Sequence, residues 1–163
     1  MTNQTEYSIR PATLHDLAGL CQLEAATFSY DQIGRRSFRH LLRSPSTQVY
    51  VCDSVADTDQ QILAYAIVLT RKNSTFWRLY SMATCASARG LGIGRKMLSH
   101  IIAQARERKV TGIRLEVKCD NQAGLHLYRD LGFEVIDLIP AYYSDGTDAY
   151  KMQVSWANGY NRE

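Results

Sequence analysis

The spacing of apolar and polar positions predicts an ordered series of strands and helices in the first third of the chain. Tyr7–Pro11 has the pattern of a short strand that ends at proline, and Thr13 is placed to cap a helix over residues 14–28. Leucines three residues apart give that helix one apolar face. A second, shorter helix is predicted over residues 36–43, before Pro45.

The middle of the chain contains three strand-like runs and one long helix. Residues 48–52 and Ile62–Leu69 flank a polar turn over residues 57–61, which predicts a hairpin, and residues 76–83 form a further strand. Small residues and three glycines then lead into a helix over residues 92–107, whose apolar positions recur with a period of 3.6 residues.

The last third alternates between strands and a helix. It contains a strand over Gly112–Lys118, a helix over residues 122–131, a strand over residues 133–143 and a final strand over Ala149–Ser155. The dipeptide Asp145-Gly146 between the last two strands is a hairpin signal. No repeat or linker interrupts this order, so residues 1–163 are expected to form one α/β domain. Its central sheet is expected to be mixed, mostly antiparallel and flanked by helices.

Composition and charge exclude several classes of protein. Apolar residues make up 45% of the chain and the formal net charge is +3, which is mild for a nucleic-acid-binding domain, so direct nucleic-acid binding is not expected. The four cysteines lie more than thirty residues apart, without the spacing of a disulfide framework or a metal site. A cytoplasmic monomer or homodimer, with no membrane segment and no metal, is the expectation.

A glycine-rich segment between a predicted strand and a predicted helix is the strongest candidate for ligand binding. Its glycines permit positive φ, and the first amides of the helix attract phosphate. A turn without a ligand is the alternative. A dinucleotide fingerprint would need glycine at position 95 and a P-loop would need Gly-Lys-Ser/Thr, so both are excluded. The segment reads Arg89-Gly90-Leu91-Gly92-Ile93-Gly94-Arg95-Lys96.

Several ordered motifs resemble one enzyme superfamily. Arg89-x-x-Gly92-x-Gly94 matches the pyrophosphate loop of the GCN5-related N-acetyltransferase superfamily, and further blocks match at the expected spacing: Leu115-Glu116-Val117-Lys118-x-x-Asn121, Leu127-Tyr128-x-x-Leu131-Gly132-Phe133 and the N-terminal Ile9-Arg10-Pro11-Ala12. The similarity spans nearly the whole chain. The Leu-Glu-Val-Lys block and the tail over residues 141–149 resemble the ribosomal-protein alanine N-acetyltransferases within this superfamily. One departure is Cys85-Ala86, where relatives often carry His-Pro or Asp-Pro.

The resemblance implies how acetyl-CoA is bound. The strand that ends at Ala83 and the strand that ends at Lys118 would splay apart to admit the coenzyme. Backbone groups of Met82, Ala83 and Thr84 would hold the pantetheine arm and the acetyl carbonyl, and Asn121 would also contact the coenzyme. The pyrophosphate would lie against Arg89, Gly90, Leu91, Gly92, Ile93, Gly94 and Arg95.

The resemblance also implies that Glu116 is the general base and Tyr128 the general acid in a direct attack of an amine on the thioester. Strand alternation places Glu116 on the polar face of Gly112–Lys118, open to a groove, with a surface ion pair as the alternative. A carboxylate is a weak base towards an ammonium group, so Glu116 would act through an ordered water or from a buried setting. Tyr128 follows the apolar Leu127, so a core or rim tyrosine is its alternative.

Proton affinity favours one class of acceptor amine. A peptide α-amine, with a pKa of about 8, loses its proton more easily than lysine, at about 10.4, so a weak carboxylate base favours an N-terminal α-amine. A small-molecule amine or a lysine remains the first alternative, and a non-catalytic acyl-CoA sensor the second. By resemblance Tyr142 and Tyr143 would close over a peptide N-terminus, with edge-strand aromatics packed on the sheet as the alternative.

Two loops are candidates for acceptor contacts, and one basic helix face is a separate candidate binding surface. The loops over residues 29–36 and 141–147 are where acceptor pockets are expected. The polar face of the second helix is a solvated face by default, with an acidic partner or the coenzyme phosphates as the alternative. This face carries Arg35, Arg36, Arg39, His40 and Arg43.

Overall fold

The computed structural model describes residues 6–54 and 61–156, and there the predicted order of elements is confirmed. Two single-turn 3-10 helices, Leu14–Asp16 and Ala86–Ala88, precede α1 and α3 respectively. The predicted turn over residues 57–61 lies, apart from Gln61, outside the described residues. The elements are β1 (Tyr7–Pro11), α1 (Leu17–Thr27), α2 (Arg35–Arg43), β2 (Thr47–Ser54), β3 (Ile62–Leu69), β4 (Phe76–Thr84), α3 (Ile93–Glu107), β5 (Gly112–Lys118), α4 (Gln122–Asp130), β6 (Glu134–Ile139) and β7 (Ala149–Ser155).

The predicted helix over residues 14–28 starts as a 3-10 turn and becomes α-helical at Leu17. Thr13 caps this start as predicted. Its hydroxyl accepts the His15 amide at 3.3 Å, and the Asp16 carboxylate accepts the Thr13 amide at 2.8 Å. The guanidinium of Arg10 holds both oxygens of Asp16 at 2.9 Å, which ties the cap to β1.

The prediction of a strand over residues 133–143 is wrong at its C-terminal end, because β6 stops at Ile139. Pro140 has no amide hydrogen to donate, and Ala141 adopts a left-handed φ of 50°, which no strand accommodates. The side chain of Asp148 stabilises this bend by accepting the Ala141 amide at 2.8 Å. Residues 140–148 therefore form a connection between β6 and β7.

The seven strands form one sheet in the order β1-β2-β3-β4-β5-β7-β6. β1 pairs with β2, and β7 pairs with both β5 and β6, in antiparallel fashion, whereas β4 and β5 are parallel. This mixed, mostly antiparallel sheet with flanking helices confirms the predicted fold class. The β4–β5 ladder ends at Leu79 and Leu115, although both strands continue.

The chain divides into two compact units. The first draws on Met1–Val68 and Ser81–Leu98, and its buried core includes Leu20, Phe38 and Tyr65. The second draws on Leu69–Tyr80 and Ser99–Glu163, and it buries the predicted apolar face of β5 together with Phe133 and Met152. The single domain expected over residues 1–163 stays a prediction. Every helix in the described part of the chain is too short or too polar to span a bilayer.

Candidate active site

Glu116 lies on the polar face of β5, as the strand alternation predicts. Ile113, Leu115 and Val117 are buried on the other face, and the Glu116 side chain is 14% exposed. Its Oε2 accepts a hydrogen bond from Arg78 Nε at 3.1 Å, so the ion pair that was the alternative interpretation is present. Within residues 6–54 and 61–156, nothing donates to the other carboxylate oxygen, Oε1.

Arg78 connects Glu116 to the predicted acceptor loop. Its Nη2 donates to the Tyr142 hydroxyl at 3.0 Å, and its guanidinium carbon lies 5.9 Å from the centre of the Tyr80 ring. Burial opposes the charge of this guanidinium, but the Glu116 carboxylate and the Tyr142 hydroxyl outweigh burial and raise the pKa of Arg78. The sequence prediction missed Arg78. Its polar position between the buried Trp77 and Leu79 is the signal that could have found it.

Tyr142 and Tyr143 lie in the connection that follows β6, so they are not edge-strand aromatics. Their rings meet edge to face with centroids 5.0 Å apart. The Tyr143 amide donates to the Thr147 carbonyl at 3.2 Å, and this bond closes the tip of the connection. Lys118 Nζ lies 5.2 Å from the centre of the Tyr143 ring and 3.1 Å from the Asp145 carboxylate. These contacts hold both tyrosines next to the C-terminal end of β5.

The two predicted catalytic residues and the two predicted acceptor residues form one cluster. Burial raises the pKa of Tyr143, and the nearby Tyr142, Glu116 and Tyr128 raise it further. Contacts already described join three of the four, since Arg78 bridges Glu116 and Tyr142 and the rings of Tyr142 and Tyr143 meet edge to face. The structure thus brings together Glu116, Tyr128, Tyr142 and Tyr143 in the second unit.

Tyr128 is half-buried on α4, with its ring edge to face with Phe133 at a centroid distance of 5.8 Å. Burial raises the pKa of Tyr128 to about 12. No group in the described part of the chain hydrogen-bonds to its hydroxyl. This hydroxyl therefore keeps its proton at neutral pH and can donate it to a ligand, which is what a general acid must do.

Asn121 is the N-cap residue of α4. Its Oδ1 accepts the Gly124 amide at 2.9 Å, which is the hydrogen bond of an N-cap. The predicted contact between Asn121 and the coenzyme stays a prediction.

The glycine segment of the first unit has the backbone that its sequence predicts. Gly90 and Gly92 have φ values of 83° and 76°, in the left-handed region, and a Cβ built on either would meet no atom within 4 Å. α3 then begins at Ile93, and its first hydrogen bond joins the Lys96 amide to the Gly92 carbonyl at 3.1 Å. The amides of Ile93 and Gly94 precede that bond and have no partner inside the helix. An open loop leading into a helix N-terminus fits a phosphate group.

A buried polar network lies beside the predicted pantetheine strand, in the same unit. Glu24 is 2% exposed, and its Oε1 accepts the Ile33 amide at 2.9 Å while its Oε2 accepts the Tyr65 hydroxyl. Tyr65 Oη also lies 3.3 Å from Ser81 Oγ, immediately before Met82 on β4. The sequence prediction missed this network, because an acidic residue in an amphipathic helix gives no sign of burial.

Metal-binding side chains do not cluster in the described residues: no group of three or more histidines, cysteines, aspartates or glutamates could hold an ion there. The four cysteines are not joined in disulfides.

Relatives of known sequence identify the family. Residues 14–133 match the acetyltransferase (GNAT) family. The N-alpha-acetyltransferase RimI of Mycobacterium tuberculosis is 33% identical over 158 residues, which cover 94% of this chain and 96% of that protein. The uncharacterized protein ML0378 of Mycobacterium leprae is 33% identical over 142 residues, or 85% of this chain, and the match spans 38% of that longer protein.

Solved structures share the fold. The ribosomal-protein-S18-alanine N-acetyltransferase of Escherichia coli aligns with a TM-score of 0.81 at 23% identity, over 92% of this chain and 94% of that one. NAA60 of Arabidopsis thaliana, solved in complex with acetyl-CoA, aligns with a TM-score of 0.84 at 14% identity, over 93% and 99%. The family model and the relatives of known sequence therefore define an acyltransferase that uses acetyl-CoA. The chain belongs to the acetyltransferase (GNAT) family, which confirms the predicted resemblance.

Proposed function

We propose that the protein transfers the acetyl group of acetyl-CoA to the N-terminal α-amine of a polypeptide. The observation that carries this proposal is the cluster of the Glu116 carboxylate, the Tyr128 hydroxyl, the exposed Tyr142 and the half-buried Tyr143. The likeness to RimI, an N-alpha-acetyltransferase, supports the same acceptor class.

The coenzyme supplies the acetyl group as a thioester, and the geometry of the glycine segment fits its phosphates. The amides that follow Gly90 and Gly92, with the positive end of α3, would hold the pyrophosphate. Arg89 and Arg95 lie exposed on the same segment and would add positive charge, and Met82, Ala83 and Thr84 would offer backbone groups to the pantetheine arm. These contacts would anchor the coenzyme.

Glu116 and Tyr128 would move the two protons of the reaction. Arg78 occupies Oε2 of Glu116, which leaves Oε1 to take the proton of the amine, either directly or through an ordered water. As the nitrogen–carbon bond forms and the carbon–sulfur bond breaks, the Tyr128 hydroxyl would donate its proton to the leaving sulfur. A tyrosine with a pKa of about 12 is fully protonated at neutral pH, so it is in the correct state for this step.

The weak base favours an α-amine over a lysine. Releasing a proton at pH 7 from an amine with a pKa of about 8 costs about 1.4 kcal/mol, against about 4.6 kcal/mol for lysine at about 10.4. The free-energy cost of deprotonating the amine is therefore smaller when the acceptor at Glu116 is a polypeptide N-terminus.

Peptides that differ only in which amine is available test the proposal. The protein is incubated with acetyl-CoA and either a peptide with a free α-amine or the same peptide with a blocked N-terminus and one lysine. Thiol release gives the rate and mass spectrometry locates the acetyl group. We expect α-amine acetylation, with kcat lowered about 100-fold or more in Glu116→Gln and in Tyr128→Phe.

Glu134→Gln on the exposed edge strand β6 is the matched control and should retain full activity. Acetylation confined to lysine would refute the acceptor class. Coenzyme binding without turnover would instead identify a sensor and refute the catalytic roles.

A further inference from the structure

Five exposed cations lie at one end of the sheet in the second unit, around the point where β4 and β5 begin. The Thr111 amide donates to the Thr75 carbonyl at 2.7 Å, which joins the turn before β4 to the turn before β5. β7 ends at the same place, because the Trp156 amide donates to the Thr111 carbonyl at 3.4 Å. The cations of these two turns and of the last turn of α3, here called the basic end, are Arg71, Lys72, Arg106, Arg108 and Lys109.

Tryptophan rings hold two of these guanidinium groups in place. The guanidinium carbon of Arg106 lies 5.7 Å from the centre of the Trp156 ring. That of Arg108 lies 5.7 Å from the centre of the Trp77 ring. The Trp156 ring is itself fixed, since its Nε1 donates to the Val110 carbonyl at 3.0 Å. A planar guanidinium with a restricted orientation loses less side-chain entropy when it forms the paired hydrogen bonds that phosphate accepts.

Lys109 occupies a position at which glycine would give a less strained backbone. Its φ is 62°, in the left-handed region, and its amide donates to the Arg106 carbonyl at 3.1 Å. The Val110 amide donates to the Ala105 carbonyl at 3.2 Å. These two bonds form the Schellman motif that ends α3, in which glycine is the usual residue at this position. The helix dipole attracts a cation here, but strain in a residue with a Cβ is the larger effect, so Lys109 lowers the stability of the fold relative to glycine.

The basic end carries positive charge that its surroundings do not neutralise. Ion pairs are absent, in the part of the chain that the structure describes, at four of its cations: Arg71, Lys72, Arg106 and Lys109. Glu107 is the one acidic residue in the sequence segments 71–75 and 106–111. Five cations against this one acid give the two segments a net charge of +4, which exceeds the +3 of the whole chain. The basic end is therefore a local concentration of charge suited to an anionic partner.

The aromatic residues of the basic end favour a polyanion over a folded acidic protein. A specific protein interface needs apolar or aromatic anchors that become buried between the partners. Trp77 is already 4% exposed, and Trp156 lies half-buried against Arg106, so neither ring is open to such a partner. Phosphate groups need only positive charge and guanidinium donors, which is how proteins hold a nucleic-acid backbone without reading its bases.

We propose that the basic end binds the phosphate backbone of a nucleic acid, without preference for base sequence. The local charge outweighs the mild net charge from which no direct nucleic-acid binding is expected. Gly112, beside the basic end, and Glu116, in the acceptor cluster, are four residues apart on β5, about 13 Å. A nucleic acid can therefore bind while the acceptor cluster is open. The inference goes beyond the proposed function and does not depend on it.

The test measures the fluorescence anisotropy of a labelled 20-nucleotide uridine RNA, titrated with the full-length protein at about 50–200 mM salt. The unmodified protein should bind this RNA. The logarithm of its binding constant should fall against the logarithm of salt concentration with a slope of about −2 to −3.5, the value for about three to five phosphates of a single strand. Arg71→Glu/Lys72→Glu should weaken binding about tenfold or more at the lowest salt concentration and make the slope shallower.

Arg36→Glu/Arg39→Glu is the matched control, because it reverses two exposed cations on α2 and changes the net charge equally. It should keep the affinity and the slope of the unmodified protein. An equal loss in both double variants, or a loss in the α2 variant alone, would overturn the proposal. So would an unmodified protein that does not bind the RNA at the lowest salt concentration. Binding of a ten-residue glutamate peptide in place of RNA would identify an acidic polypeptide as the partner and would also overturn it.

Lys109→Gly distinguishes a binding role from a structural one. Because glycine adopts a left-handed φ without strain, the Tm should rise by about 2–4 °C while the affinity for RNA falls about threefold. Lys109→Arg keeps the charge and should keep the affinity. If the affinity for RNA does not fall in Lys109→Gly, the cation serves only the end of the helix and the proposal is overturned.

Discussion

Arg78 Nε lies 3.1 Å from the Oε2 atom of Glu116, and the same guanidinium donates to the Tyr142 hydroxyl at 3.0 Å. One side chain therefore fixes both the predicted base and one of the predicted acceptor aromatics. A carboxylate that is hydrogen-bonded through one oxygen has a restricted orientation. The other oxygen, Glu116 Oε1, is then the one available to an amine. Arg78 is a positioning residue in this arrangement, since it acts through Glu116.

Replacing Arg78 should impair use of the acceptor more than use of the coenzyme. Arg78→Gln removes the ion pair and frees both Glu116 and Tyr142 to reorient, and small displacements of catalytic groups lower rates by about 10- to 100-fold. We expect kcat/KM for the peptide to fall by that factor while KM for acetyl-CoA stays unchanged, in steady-state assays. Arg114→Gln is the control, because Arg114 donates to Gln153 at 2.8 Å on the neighbouring strand pair. An equal loss in both variants would contradict the positioning role.

Ionisation of Tyr128 should lower the free energy of unfolding at alkaline pH. Its pKa rises from 10.0 to about 12 on folding, so the folded state holds this proton more tightly than the unfolded state. The resulting stabilisation is complete below pH 10 and is lost as the pH rises from 10 through 12. Urea unfolding between pH 9 and 12 should show a shallower decline in Tyr128→Phe than in the unmodified protein.

The control for this pH effect is a variant that removes side-chain volume but no titrating group. Leu127→Ala should lower the free energy of unfolding by a similar amount at each pH and leave the alkaline slope unchanged. If Tyr128→Phe declines as steeply as the unmodified protein between pH 10 and 12, the environment assigned to the Tyr128 hydroxyl is wrong.

The sequence predicted those features that depend on neighbours along the chain. Alternation within Gly112–Lys118 correctly placed Glu116 on the polar face, and the glycines correctly predicted a left-handed backbone at Gly90 and Gly92. The ion pair of Arg78 could not be predicted in the same way. It depends on which residues of β4 and β5 lie side by side, and a parallel register between distant strands leaves no local pattern. The early end of β6, by contrast, has a local signal in Pro140 that the sequence prediction overlooked, and the contact of Asp148 with Ala141 stabilises the bend that follows.

The Glu24 and Tyr65 pair should contribute strongly to stability. Glu24→Ala leaves the Ile33 amide without its acceptor and leaves the Tyr65 hydroxyl only its longer contact with Ser81 Oγ, which costs about 2–4 kcal/mol in this buried site. Tyr65→Phe removes one donor to the carboxyl group and should cost about 1–3 kcal/mol. Urea denaturation of both single variants and the double variant should show a coupling energy above about 0.5 kcal/mol.

Tyr80→Phe is the matched control for that pair, because the Tyr80 side chain is 47% exposed. Its free energy of unfolding should change by less than about 0.5 kcal/mol. Additive effects of Glu24→Ala and Tyr65→Phe would show that the two groups act separately.

The glycine loop supplies the most direct test of coenzyme binding. Alanine at position 90 or 92 would meet no neighbouring atom, so its whole effect comes from the left-handed backbone, which costs a residue with a Cβ about 1–2 kcal/mol. If this backbone holds the pyrophosphate, Gly90→Ala and Gly92→Ala should raise KM for acetyl-CoA about tenfold, equivalent to about 1.4 kcal/mol. KM for the peptide should not change.

The Gly34→Ala variant is the control that adds a methyl group without straining the backbone. Gly34 too has open space around a built Cβ, but its φ is −81°, which alanine adopts without strain. Gly34→Ala should therefore leave KM for acetyl-CoA unchanged in the same titration. Were Gly90→Ala and Gly92→Ala to bind acetyl-CoA as tightly as the unmodified protein by calorimetry, the left-handed turn would not be the element that holds the diphosphate.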